Sequence, residues 1–446
     1  MKVIPFLCLL IFACELYAQT LQPVDQWIDQ NLESLVRTYK QLHASPELSG
    51  YEIHTSALIA ARLHELGYEV SDHLGKFTHR DWKGYGVVGI LKNGNGPVLM
   101  IRTEMDALPL VEKTNLSYAS VIKVKPDSGQ ETGVMHACGH DIHMSIFLGV
   151  AEILMQFKTS WHGTLMMVAQ PSEEGGPGAS GAQALLEDGL YTKSGRPDFI
   201  LGLHQTPTIM AGKLAVMAGF SNATSRDGEI IIHGTGSHAA RPQDGKDPIV
   251  LSAELIMALQ TIISRENNPF HPAVLTIGSI HGGTKSNIIP DQVNLKFTLR
   301  ALDDETGDKL ASAIFRMAKG IAYAAGLPED KYPEIIMNKG YPSNYNDPVL
   351  TEEIAAAFRK ALGKENVLVA DPVLSGEDFS YYSLEKKIPS LFFNIGGADP
   401  VKFNESLRTG IPLPSNHSPF MAPAPELTIR TGIRAMVAGV LRLLQN

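Results

Sequence analysis

Four unbroken apolar runs constrain this chain more than any other feature: Val98 to Ile101, Thr164 to Ala169, Phe199 to Leu203 and Ser390 to Asn394. Runs of that kind suit strands covered on both faces, which calls for an α/β sheet with a substantial parallel component. Helical spacing over Trp27 to Leu42, Ser56 to Leu66, Ile142 to Phe157 and Glu352 to Leu362 supplies the covering layers. The residues just past the strands matter as much. Glu104 and Asp106 come after the first run, Glu173 and Glu174 after the second, and His204 after the third. Ligand sites of open α/β sheets gather at the carboxyl ends of strands, so three segments deliver metal-type side chains to one edge.

Between the first two runs lies a denser cluster. His136, Cys138, His140, Asp141 and His143 place five metal-capable side chains within eight residues. The other two cysteines, Cys8 and Cys14, fall in an N-terminal leader, so Cys138 has no partner for an intramolecular disulfide once that leader is removed. A thiol flanked by imidazoles and a carboxylate reads as a thiolate ligand for a divalent ion. Two other readings stay open: a buried structural cysteine, or a nucleophile with His140 or His204 as its base. Gln170-Pro-Ser-Glu-Glu-Gly-Gly carries two adjacent acids in a glycine-rich turn. Loosened by its glycines, the turn lets both acids approach one centre, one as a ligand and the other as a base. The alternative is a solvated pair opening the next helix.

At 446 residues the chain is long enough for two domains. The stretch 216–339 differs from its surroundings. It alternates strands (Glu229 to His233, Ala273 to Ile280, Gln292 to Arg300, Tyr332 to Met337) with two amphipathic helices (Pro248 to Ser264, Glu305 to Ala325). That order, β-α-β-β-α-β, is that of a ferredoxin-like sandwich. It reads as an insertion dividing a catalytic domain into 19–215 and 340–446. Residues 1–18 read as a secretory signal peptide: Lys2, an apolar run from Val3 to Cys14, and Ala18 at the cut site. A lipid anchor at Cys14 is the rival, and either makes the protein exported, periplasmic or secreted. No later apolar stretch is expected to span a membrane. A net charge of −9 without a long run of one sign argues against a nucleic-acid partner or a polybasic membrane patch.

Seven motifs in order carry a resemblance over nearly all of the mature chain. They are Leu42-His-Ala-Ser-Pro-Glu-Leu-Ser, Glu104-Met-Asp-Ala-Leu-Pro, His136-Ala-Cys-Gly-His-Asp-Ile-His, Gln170-Pro-Ser-Glu-Glu-Gly-Gly, Gly236-Ser-His-Ala-Ala-Arg-Pro, Asn287-Ile-Ile-Pro-Asp and Gly376-Glu-Asp-Phe. The chain resembles the di-metal aminoacylase and carboxypeptidase clan of peptidases, in the amidohydrolase branch with auxin-conjugate hydrolases, hippurate hydrolases and N-acetyl-diaminopimelate deacetylases. The resemblance implies a metallopeptidase-like α/β catalytic domain with a mixed, largely parallel sheet, and an inserted ferredoxin-like dimerisation or lid domain. It implies two divalent ions held by Cys138, His140, Glu174, His204 and His417, with Glu173 as general base. It further implies a homodimer in which His238 polarises the substrate in the partner's site, and Asn287 and Arg300 holding the substrate carboxylate. The planar fork of arginine suits that last task.

The chain departs from its relatives at Glu104 (often Asp), Gln243 (commonly His), Ser237 (often Gly) and Pro177 (within a glycine run), and in the residues around His417. These leave the ligands and base in place and bear on substrate choice. The implied activity is hydrolysis of the amide bond in N-acyl amino acids or related small conjugates. A metallo-dipeptidase or carboxypeptidase, or a non-catalytic metal- or peptide-binding protein on the same scaffold, are the alternatives. Thiolate and imidazole ligation leans toward zinc, and the carboxylates also admit manganese, cobalt or nickel.

Overall fold

The computed structural model describes residues 5–75, 82–125, 129–176, 178–384 and 387–445, with side chains from Leu21 onward. The leader expected over residues 1–18, its cysteines and Pro177 therefore lie outside the described side chains. The polypeptide divides into two compact units. One comprises the chain up to Gly219 with Tyr345–Asp371 and Tyr381–Asn446, the other Phe220–Asn344 with Pro372–Ser380.

An eight-stranded sheet organises the first unit. In spatial order its strands are Glu69–Leu74, Gly86–Asn93, Gly163–Gln170, Val98–Glu104, Phe199–Met210, Ser390–Ala398, Leu214–Val216 and Val367–Val369. The four long apolar runs are its centre, and all pair in parallel: Val98–Glu104 with Gly163–Gln170 and Phe199–Met210, and the latter with Ser390–Ala398. Two antiparallel strands close one side, Glu69–Leu74 on Gly86–Asn93 and the latter on Gly163–Gln170. The central strands are buried on both faces because helices cover each side. Helix His140–Gln156 is apolar nearly all round and buried along most of its length. It packs against Pro5–Ala44 and Pro425–Leu444. In the first of these, Leu21, Val24, Ile28, Leu35, Tyr39 and Leu42 form one buried stripe at helical spacing.

One strand runs further than its sequence suggests. Phe199–Met210 continues past His204, so that histidine sits within a strand, opposite Asn394, and not after one. The reason is pairing: Ser390–Ala398 partners it as far as Met210.

The second unit is a β-α-β-β-α-β sandwich. Its antiparallel sheet runs Ala273–Gly282, Gln292–Ala301, Thr224–His233, Glu334–Met337, with helices Pro248–Thr261 and Asp304–Ala324. Ile230, Ile232, Leu255, Leu259, Val293, Leu295 and Ile314 form its separate core. One helix bears on the expectation that no later stretch spans a membrane. Pro248–Glu266, 19 residues, is long and apolar enough by length and composition to cross a membrane. The amphipathic helix expected here is corrected: its outer face is apolar as well as its inner one. Leu251, Leu255, Leu259 and Ile262 serve the unit's own core, while Ile249, Val250 and Met257 are exposed.

Candidate metal centre

Cys138 lies at the heart of the site. Its Sγ stands 3.3 Å from His204 Nε2 and 3.3 Å from His417 Nε2. Two sets of ligand atoms share this one thiol: Cys138 with His140 and His204, and Cys138 with Glu174 and His417. Within each set the atoms lie within 4.8 Å of one another. Glu173 belongs to neither thiol-centred set; it groups with His140 and Glu174, its Oε2 3.9 Å from His140 Nε2.

The backbone explains how distant segments converge. Gly139, between two ligands, starts helix His140–Gln156 with φ +95°, and a Cβ there would come within 2.5 Å of Gln205. Only glycine combines that conformation with that approach. Gln205 in turn ties the segments together. Its Nε2 donates to Cys138 O and to Asn416 Oδ1, each at 2.9 Å, and His417 N donates to Ala137 O at 2.8 Å. Two non-glycine residues, Ser172 and His417, adopt left-handed φ of +51° and +66° beside this centre. Strained backbone of that kind persists only where its surroundings over-determine it, typically at functional sites.

Hydrogen bonds fix which ring nitrogens face the centre. His140 Nδ1 donates to Asp106 O at 2.7 Å, with Asp106 Oδ1 at 3.2 Å, leaving Nε2 buried without a hydrogen-bond partner. A carbonyl or carboxylate behind one nitrogen, with the other presented to an ion, is the usual setting of a metal-ligating histidine. His204 Nδ1 likewise meets Gln205 O at 2.6 Å, which turns Nε2 toward Cys138. His143, by contrast, is fully engaged. Its Nε2 accepts from Gln205 N at 2.8 Å, so its Nδ1 carries the proton, donated to Glu104 Oε2 at 3.0 Å. It has no lone pair for a metal. Glu104 also pairs with Arg102, and Asp106 Oδ2 accepts from Ser49 Oγ and Glu174 N. The acids following the first strand therefore orient ligands.

The rest of the five-residue cluster points elsewhere. Asp141 binds His43 Nδ1 at 2.6 Å, and Glu112 binds His43 Nε2 at 3.1 Å, all three buried. Burial opposes a charge on His43, but the hydrogen bonds and charges of Asp141 and Glu112 outweigh it and raise its pKa to about 10. His136 is buried with neither nitrogen hydrogen-bonded, and burial pulls its pKa down to about 4. His43, Glu112 and Gln205 are functional residues that the sequence did not single out. His43 stood inside a motif, but nothing in the sequence named its partners.

Burial, then the charges of Glu174 and Glu173, push the Cys138 thiol well above its ordinary pKa. Nucleophile and metal ligand alike need the thiolate, so either role calls for positive charge beside it. Burial takes His204 down to about 3, keeping its imidazole neutral as a ligand must be. The acids around His140 overcome its burial and take it up to about 10. A cluster that raises both a thiol and an imidazole favours positive charge, which a divalent ion would supply.

The three remaining candidates lie in the second unit. His238 is exposed; its Nδ1 accepts from Ala240 N at 3.0 Å, so its proton resides on Nε2. The exposed Asn287 accepts Ala239 N on its main-chain oxygen. Arg300, half-buried in its strand, donates from Nε to Thr298 Oγ1 at 3.1 Å.

The fold and the donor set define a metal-dependent hydrolase of amide bonds. The chain belongs to peptidase family M20/M25/M40, whose model matches residues 100–409. The hippurate hydrolase of Campylobacter jejuni is 36% identical over 356 residues, 79% of this chain and 85% of that protein. The N-acetyl-L-cysteine deacetylase of Bacillus subtilis is 36% identical over 365 residues, 82% and 80% of the two chains. Among solved structures, the Bacillus subtilis YXEP protein, a dinuclear metal-binding peptidase of the M20 family, is 28% identical with a TM-score of 0.72. That alignment covers 93% of this chain and 100% of that one. The resemblance drawn from the motifs is borne out at the level of the family.

Proposed function

We propose that this protein is an exported di-metal amidohydrolase that cleaves the amide bond of N-acyl amino acids or related dipeptide-like conjugates. The observation that carries it is the shared thiol: Cys138, His140 and His204 form one ligand set, and Cys138, Glu174 and His417 the other. The donor set fits divalent ions, because His140 offers a buried Nε2 with no hydrogen-bond partner and His204, its Nδ1 engaged by Gln205 O, turns Nε2 toward the same thiol. Zinc suits the thiolate and imidazoles best, with manganese, cobalt or nickel also admitted. Two ions bound there would polarise the substrate carbonyl and lower the pKa of water toward about 7.

The chain's own residues do the rest. Glu173 takes the proton of the attacking water and returns it to the departing amine. His238, with its proton on Nε2, donates to the developing oxyanion, in the partner's site of a homodimer formed through the inserted domain. Asn287 and Arg300 hold the substrate carboxylate. The relatives that act on hippurate and on an N-acetyl amino acid support the substrate class. Export rests on Lys2, the apolar run from Val3 to Cys14 and Ala18.

The test is a hydrolysis screen of N-acyl amino acids and dipeptides on metal-reconstituted protein, with Glu173→Gln as the control. Glu173→Gln is expected to abolish turnover with metal content near that of the wild type. Collapse of metal content with Glu173→Gln but not with Glu174→Gln would reverse the two roles, and an N-terminus still at Met1 after export would refute the cleaved leader.

A further inference from the structure

We propose that Glu52 is a positioning residue for this reaction: it fixes the turn Ser172–Glu174 from another part of the fold and so aims Glu173 and Glu174. The inference rests on the roles proposed above for those two acids.

Glu52 stands at the N-cap of helix Ile53–Glu65, yet its side chain makes no capping bond. That work is done by Glu47, whose carboxylate accepts from His54 N at 3.1 Å and Thr55 N at 2.7 Å. Relieved of the cap, the Glu52 side chain turns inward and is fully buried. Its Oε1 accepts from Gly50 N at 3.0 Å and, across 120 positions of sequence, from Ser172 N at 2.8 Å. Its Oε2 is buried without a hydrogen-bond partner. A buried carboxyl with an unsatisfied oxygen is a liability that an apolar side chain would avoid. The fold also reserves room for it: a Cβ at Gly84 would lie 1.9 Å from Oε2.

What Glu52 holds is the strained residue of the turn. Ser172 comes two residues after the strand Gly163–Gln170 and has φ +51°, a conformation disfavoured for a residue with a side chain. In an extended chain Glu173 and Glu174 would point to opposite faces. A left-handed residue immediately before them breaks that alternation and lets both acids share the group with His140. The turn is thus pinned on both flanks, by Glu52 at Ser172 N and by Asp106 at Glu174 N. Asp106 also orients His140, whereas the Glu52 carboxyl reaches the centre through Ser172. By sequence, the convergence of the two acids is owed to the glycines after them. The structure puts the decisive left-handed residue in front of them.

Burial, reinforced by the charge of Asp106, pushes the Glu52 pKa well above the ordinary range, so glutamine is a close mimic of the group. The experiment compares Glu52→Ala, Glu52→Gln and Glu52→Asp with wild type and Glu173→Gln, all metal-reconstituted, measuring kcat, KM and metal content. In Glu52→Ala, kcat should fall at least about tenfold with KM little changed, since misplacing a reacting group by about 1 Å can cost about a hundredfold. Glu52→Gln keeps the acceptor in place and should restore kcat. Wild-type kcat in folded Glu52→Ala, or Glu52→Gln as impaired as Glu52→Ala, would overturn the proposal. If Glu52→Ala does not fold, Glu52→Asp decides: its carboxyl is short by about 1.5 Å, so its kcat should fall below that of Glu52→Gln, and equality with wild type would overturn the proposal. Turnover surviving in Glu173→Gln would instead defeat the underlying assignment of the base, so the two failures are distinct.

Discussion

Replacing His43 by glutamine tests whether the buried His43–Asp141–Glu112 clamp supports the metal domain. The imidazole serves two carboxylates at 2.6 and 3.1 Å, with all three side chains essentially inaccessible. Glutamine keeps one donor group but no charge, leaving both carboxylates without the counterion they share and at least one without its hydrogen bond. Breaking a buried pair from one side typically costs about 3–5 kcal/mol. With an unfolding entropy of about 2.1 cal/mol/K per residue spread over 446 residues, that corresponds to a Tm lower by roughly 3–5 °C. The effect has a pH signature with a definite sign. The pKa of His43 is raised from 6.5 to about 10, so its contribution is whole below 6.5 and is lost as pH rises through about 10. Asp141 and Glu112 are lowered, so theirs is whole above their unfolded values near 4 and is lost in acid. The clamp is therefore strongest near about pH 6. The assay is urea unfolding of both proteins at about pH 6 and about pH 10. Fluorescence will report the first unit, because Trp27, Trp82 and Trp161, the chain's three tryptophans, all belong to it. A loss under about 1 kcal/mol near pH 6, the scale of an exposed pair, would refute the reasoning. So would a difference that fails to narrow near pH 10.

Two further outcomes are expected from the shared thiol and from the second unit. Cys138→Ser should weaken both ions together, whereas His204→Ala should weaken one; elemental analysis after dialysis distinguishes them, and unchanged metal in Cys138→Ser would remove the thiol from the ligand set. Mixing His238→Ala chains with Glu173→Gln chains should restore about a quarter of wild-type activity if subunits exchange, since about half the dimers would be hybrids with one working site. No recovery despite demonstrated exchange would place His238 in its own subunit's site or outside catalysis.

Much of this protein was legible one residue at a time. The apolar runs specified central strands because a strand buried on both faces leaves no polar position to interrupt it. The β-α-β-β-α-β order of the second unit could be read from periodicity alone. Cys138 and His140 stood out in a dense cluster of metal-type residues, and Glu173, Glu174 and His204 by their place after apolar runs; His417 was reached only through the resemblance, since a single histidine carries no local signal. Tertiary structure decided which neighbours do what. His143 and His140 share a helix face and look interchangeable in sequence. Gln205 N occupies the lone pair of one, while Asp106 turns the lone pair of the other toward the thiol. Asp141 sits beside a ligand yet serves His43, 98 positions away. Ser172 looked unremarkable until its φ and its bond to Glu52 were seen. Residue type and spacing set which groups can bind or titrate. Which of them do so depends on hydrogen-bond partners from remote segments, and those are chosen only when the chain is packed.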